Sequence, residues 1–271
     1  MVNDEQKKPQ KIIIGGMVNN QELEEFYKNS ENDNQKFDVH LIAYLDFLGF
    51  EEKMTQEKSR YSLKILKYLL RGARSVANSI SHTNDINEFQ IKIFSDNIVI
   101  SQKVEQEILS NQITSLVNLV GSIQFHALMY FGFLIRGGIT IGELSIDSTI
   151  VWGTGLIDAY NIENNLANYP RIIISQKLLK EYELCKQKEI NLYDFIKEDF
   201  DGLWFINFLL AAPNIELIPK KHEILKDFIE SHIDKSEKIK QKVNWLATYF
   251  NKYCYELRDR VDYEKYTLSY I

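Results

Sequence analysis

Val39-His40-Leu41-Ile42-Ala43-Tyr44-Leu45-Asp46-Phe47-Leu48-Gly49-Phe50 is the stretch from which the rest of the chain is read. Val39 to Leu45 is short, apolar and rich in β-formers, the pattern of a buried strand. It ends in Asp46, which puts a carboxylate at the strand's C-terminal end. Phe47-Leu48-Gly49-Phe50 then reads as a tight loop. From about Gln56 to Ile80 apolar residues recur at helical spacing, with Leu63, Ile65, Leu66, Tyr68, Leu69 and Leu70 on the stripe. The first unit is therefore strand, loop, helix.

Two β-like runs follow, Phe89 to Phe94 and Ile98 to Ser101, with Ser95-Asp96-Asn97 between them as a hairpin turn. A long helical stretch covers about Val104 to Tyr130. Phe131 to Leu144 is β-like and carries Gly137-Gly138 and Gly142. Leu156 to Asn168 predicts a helix, Arg171 to Ser175 a strand, and Gln176 onward another helix. The order β-α-β-β-α-β predicts an α+β fold of the ferredoxin-like kind, one antiparallel sheet with helices on one face. Residues 1–36 are polar and predict a flexible lead-in. The catalytic-sized domain is 37–185. Beyond it the texture changes: Phe200 to Leu210 is densely aromatic, and about Pro219 to Tyr255 is helical and charged, so 186–271 reads as a largely helical extension.

With 45% hydrophobic residues in 271, the chain has material for a sizeable core. A net charge of −6 argues against a general nucleic-acid binder, which would show a basic face. It does not argue against a small anionic substrate at a local cation site. The two cysteines, Cys185 and Cys254, are too far apart for a close metal-ligand pair, and the five histidines are scattered. No run is apolar for long enough to span a membrane. The expectation is a reduced, cytoplasmic protein with no membrane span and no nucleic-acid partner.

Asp46 and Asp96 carry the chemistry. In the ferredoxin-like order their strands are neighbours, so both carboxylates converge. Hard divalent cations want such oxygens and share them with substrate phosphates. The loop Phe47-Leu48-Gly49-Phe50 offers backbone N–H groups to phosphate oxygens. Lys92 shares a face with Phe94 and Asp96 by strand alternation, pointing to a base or phosphate. Arg136, a charge inside an apolar strand, needs a partner, either a carboxylate or a phosphate. Each aspartate taken alone is ordinary at a strand end or turn, where it bonds its own backbone. The Ser-centred hydrolase motif and the Gly-Lys-Ser/Thr phosphate loop are absent.

These residues resemble a family. Tyr44-Leu45-Asp46-Phe47-Leu48-Gly49-Phe50 is similar to the first metal motif of class III nucleotidyl cyclases, and Lys92-Ile93-Phe94-Ser95-Asp96 to the second. Arg136 to Gly142 resembles a later strand of the family. Trp152-Gly153 through Ala159 and Glu163 resembles the start of the helix that closes the site. Within the class, the spelling around Asp46 and Asp96 and the stretch Ala159-Tyr160 to Pro170-Arg171 look most like the pyrimidine cyclases of bacterial Pycsar anti-phage defence. The resemblance covers about residues 38–175. It implies two Mg²⁺ or Mn²⁺ ions held by Asp46, Asp96 and the Phe47 backbone, and UTP or CTP as substrate. It also implies a cUMP or cCMP second messenger and a head-to-tail homodimer with composite sites. Two positions depart from the pattern: the family's transition-state Asn aligns with Ile157 and its Arg with Asn161. Arg136, Arg171 and the partner's copy of position 161 are the replacements to consider. An adenylate or guanylate cyclase, or a degenerate cyclase fold that only senses nucleotide, are the alternatives.

Overall fold

The computed structural model describes residues 37–49, 64–65, 67–69, 71, 89–147, 149–186, 191–211 and 214–271. The expected lead-in over 1–36, Phe50 and most of the expected helix over 56–80 lie outside these residues; the described positions between 64 and 71 are helical, with Ile65 and Leu69 buried. Residues 37–271 form one compact unit.

The sheet is built outward from β1 (Asp38–Leu48), which pairs antiparallel with β3 (Asn97–Lys103) on one side and β4 (Leu134–Ile146) on the other. β2 (Gln90–Phe94) forms a hairpin with β3, which completes the order β2-β3-β1-β4. The apolar run read from the sequence is thus the centre of the sheet. Strand alternation divides its side chains cleanly. Leu41, Ala43, Leu45 and Phe47 enter the main core. Ile42 enters a second, smaller cluster with Val99, Leu144 and Ala159.

Two expectations about the sheet need correction. It is mixed, not antiparallel throughout: β4 passes through β5 (Val151–Trp152) and α2 (Thr154–Leu166) before returning as β6 (Ile172–Ile174), parallel to β4. A crossover connection of this length is what a parallel neighbour requires. Nor do the helices keep to one face. α1 (Leu109–Phe131), buried on nearly every side, and α3 (Gln176–Cys185) belong to the main core. The Ala159 side of α2 packs in the smaller cluster on the opposite face. α2 comes close to the sheet there because β4 has glycines at positions 138 and 142. A Cβ on Gly138 would lie 2.5 Å from the Ala159 carbonyl oxygen, and one on Gly142 2.7 Å from the Cα of Gly155.

The extension also differs from the expectation. Residues 196–206 add two strands to the same sheet, β7 (Ile196–Glu198) and β8 (Trp204–Ile206), in the order β6-β8-β7. The texture change near 185 therefore falls inside one sheet. The long charged helical stretch is two helices, α4 (Ile218–Glu230) and α5 (Glu237–Glu256), whose apolar residues join the main core. Among the described residues no helix is long and apolar enough to cross a membrane.

Candidate functional site

Asp46 does not end its strand. β1 continues through Phe47 and Leu48, and the turn comes at Gly49, whose φ of 72° is a left-handed conformation. This changes the proposed phosphate cradle. The Phe47 N–H donates to the Asp96 carbonyl at 3.1 Å, and the Phe47 ring is buried edge-on against Phe133. Leu48 stands opposite Leu134 in the ladder. Of the four residues expected to face phosphate, only Gly49 lies beyond the strand within the described chain.

The same hydrogen bond sets the backbone of Asp96 beside the strand that carries Asp46. Asp46 stands opposite Asn97, and the β2–β3 turn at Ser95-Asp96 is tied to β1 through Phe47. Ser95 takes φ 56° to close the two-residue turn, and Asn97 Nδ2 donates to Asp96 Oδ1 at 3.2 Å. Lys92 stands opposite Val99, which stands opposite Tyr44, so Lys92, Tyr44 and Asp46 share one face.

On its other side Asp46 stands opposite Arg136. Arg136 resolves the choice left open by the sequence: it pairs with carboxylates. Its Nε donates to Asp46 Oδ2 at 2.9 Å and lies 2.7 Å from Glu163 Oε1. Glu163 reaches this point because Gly155, Ala159 and Glu163 are the buried stripe of α2, spaced four apart. Burial, chiefly, pushes the Glu163 carboxyl up, and the neighbouring Asp46 adds to that while Arg136 opposes it. Burial likewise pushes the Tyr44 phenol up to about 12, reinforced by the charges of Glu163, Asp46 and Asp96. Tyr44 also meets Tyr160 of α2 edge-on at 5.5 Å. Lys242 of α5 is lowered by burial and then by Arg136, and feels Asp46 and Glu163 in the opposite sense. The extension therefore puts a cation within electrostatic reach of the site.

Tyr44 and Glu163 stand in stretches that carry the resemblance but have no role assigned from sequence, and Lys242 is not marked by sequence at all. Tyr44 could have been found from its position two before Asp46 on one strand. Glu163 had a signal too, an acid on the small-residue stripe of a helix. Lys242 had none, since only the tertiary fold returns α5 to the sheet.

Two expected residues are elsewhere. Asn161 is exposed on α2. Arg171 is fully buried and committed: it pairs with Asp199 and Asp201, lies over the Tyr169 ring, and Asp199 in turn accepts from Trp245 Nε1 at 2.8 Å. It joins the β7–β8 turn to α5, and its guanidinium is held by Asp199 and Asp201 and not by the group around Asp46.

The donor set suits a hard cation that brings its own phosphate ligands. Asp46 and Asp96 are two carboxylates at adjoining positions, and Mg²⁺ is commonly bound by one or two carboxylates plus substrate phosphates. An all-protein cage is not what these residues offer: among the described residues no group of three or more His, Cys, Asp or Glu side chains could hold a metal. No family model matches the chain, and no curated protein matches it by sequence.

Proposed function

We propose that this chain is a nucleotidyl cyclase that converts a nucleoside triphosphate, UTP or CTP in preference, to a 3′,5′-cyclic mononucleotide and pyrophosphate. The observation that supports it most is the bond from the Phe47 N–H to the Asp96 carbonyl, which sets the hairpin turn beside Asp46. Two motifs about fifty residues apart in the chain thereby lie on adjoining strands, which supports the resemblance. In the reaction the ribose 3′-oxygen bonds to the α-phosphorus as the bond from that phosphorus to pyrophosphate breaks.

Asp46, Asp96 and the Phe47 carbonyl would hold two Mg²⁺ or Mn²⁺ ions, which supply acidification of the 3′-hydroxyl and charge neutralisation of the leaving group. Arg136 and Lys92 stand on the face of the sheet that carries Asp46 and suit negative charge developing on phosphate oxygens. Gly49 leaves backbone free of side-chain bulk where the triphosphate would lie, since nothing approaches its added Cβ within 4 Å. Arg171 is left out of this assignment because its side chain is fully buried in its pairing with Asp199 and Asp201, whereas Arg136 is partly exposed.

The site is completed by a second copy. Trp152, Ile157 and Tyr160 are exposed along β5 and α2, an apolar surface that suits a head-to-tail dimer. Asn161 on the same helix would then contact the partner's nucleotide. The product would serve as an anti-phage second messenger, a role that rests on the resemblance alone. Incubation with Mn²⁺ and each of the four nucleoside triphosphates, read by pyrophosphate release, tests the reading. Release from UTP or CTP supports it, and release from ATP or GTP alone moves it to a purine cyclase. A second reading, a nucleotide sensor without turnover, is favoured by Ile157 and Asn161 where the family has Asn and Arg; nucleotide binding without pyrophosphate release would select it.

A further inference from the structure

Arg136 Nε carries one hydrogen and faces two carboxylates. The hydrogen bond goes to Asp46 Oδ2 at 2.9 Å. Glu163 Oε1 is closer, at 2.7 Å, yet takes no well-aligned hydrogen bond from that N–H, although the Glu163 side chain is only 3% exposed; the same carboxyl also lies in hydrogen-bond contact with the Asp46 carboxyl. A buried acceptor without a donor is costly, and ordinary packing removes it. Here α2 is pressed onto β4 at Gly138 and onto Gly142 through Gly155, which fixes the helix that carries Glu163 against the sheet. One N–H is thus shared between an acid that has it and an acid that is positioned to take it.

We propose that Arg136 is a latch on Asp46 and that Glu163 is the positioning residue which releases it. With no cation present, Arg136 neutralises Asp46. When Asp46 turns to a divalent cation, the Arg136 N–H passes to Glu163 Oε1, which lies within reach without movement of α2. Arg136 then stays at the mouth of the site as a donor for phosphate and does not compete for Asp46. This inference rests on the cyclase reading in one respect, that Asp46 is a cation ligand. It adds a residue outside the metal motifs that sets how readily Asp46 becomes available.

The test is Mn²⁺ binding by the full-length chain, followed by the electron paramagnetic resonance of free Mn²⁺ in the presence of a non-hydrolysable UTP analogue. Glu163→Gln leaves Arg136 with Asp46 as its one anionic partner, so Mn²⁺ affinity falls about tenfold, as partners of metal ligands typically do. Arg136→Gln frees Asp46 and tightens Mn²⁺ by a similar factor. The double variant matches Arg136→Gln, because Glu163 acts through Arg136. Glu163→Asp, which keeps the charge, recovers part of the loss. If Glu163→Gln weakens Mn²⁺ equally with and without Arg136, or if Arg136→Gln leaves affinity unchanged or lower, the latch is overturned while the metal site stands. If Asp46→Asn leaves Mn²⁺ binding intact, or no binding is found, the metal reading itself fails. Should Glu163→Gln not fold, the sign of the Arg136→Gln effect decides alone.

Discussion

Lys221 shows how one buried charge can be weighed separately from the site. It is 2% exposed, donates to the Leu209 carbonyl at 3.1 Å and to Tyr253 Oη at 3.3 Å, and lies over the Tyr253 ring. Burial pushes its ammonium down to about 8. The folded value lies below that of the unfolded chain, so the unfolded state binds more protons between about pH 8 and 10. Stability contributed here is lowest at and below pH 8 and rises through that window. Lys221→Met therefore stabilises the chain at pH 7 by on the order of 1 kcal/mol at most, once the donors lost to both the Leu209 carbonyl and Tyr253 Oη are allowed for. The gap from the parent narrows as pH rises from 8 to 10. Melting temperatures of both proteins at pH 7, 8.5 and 9.5 check this; a gap independent of pH contradicts it. At the site, residue identity was legible where alternation fixes direction. Asp46 and Arg136 each lie on a strand whose pleat can be counted. What could not be counted was which carboxylate Arg136 would meet, because that depends on a helix from later in the chain.

Glycines separate two kinds of cost at the level of elements. Gly49 turns at φ 72° with open space around it, so Gly49→Ala costs about 1 kcal/mol, from backbone conformation alone. Gly138 has an ordinary backbone but no room: its added Cβ meets the Ala159 oxygen and the Ile162 side chain. Gly138→Ala costs about 1–3 kcal/mol by overpacking. It also lifts α2 from β4, so Mn²⁺ affinity falls as in Glu163→Gln. Chemical denaturation and the Mn²⁺ titration together distinguish the two glycines, since Gly49→Ala leaves the Arg136–Glu163 contact in place. The elements themselves were largely readable from periodicity. β1, the β2–β3 hairpin and α1 fall close to their expected positions. Short strands escaped: β7 and β8 have three residues each, too few for alternation to register, and one lay inside an aromatic run. Their place in the sheet rests on a single register pair between Ile173 and Phe205. The second face of the sheet was missed for a related reason. The glycines on β4 lie in a run that reads as strand, but nothing in the sequence tells that two of them make room for α2.

At the scale of the whole molecule, the extension is fastened to the sheet through Arg171. Removing that guanidinium leaves Asp199 and Asp201 without their buried cation, so Arg171→Ala destabilises the chain by about 3 kcal/mol, measured by denaturant unfolding. Well below its melting temperature the variant retains the parent's affinity for nucleotide, because the buried Arg171 guanidinium is committed to Asp199 and Asp201. A large loss of nucleotide affinity in a fully folded variant would return Arg171 to the site. Assembly is tested on α2. Ile157, 56% exposed, and Tyr160, 45% exposed, lie on the proposed dimer face. Ile157→Asp shifts the chain toward monomer in light scattering and lowers turnover with it; a fully active monomer contradicts the composite site. The central claim concerns Asp46 and Asp96 acting together on a nucleoside triphosphate, and mass spectrometry of the product from UTP and CTP with Mn²⁺ tests it most directly. The account predicts a 3′,5′-cyclic pyrimidine mononucleotide from the parent chain and none from Asp46→Asn or Asp96→Asn. The same yield of cyclic product from either variant, or no cyclic product from the parent with any of the four nucleotides, would contradict it.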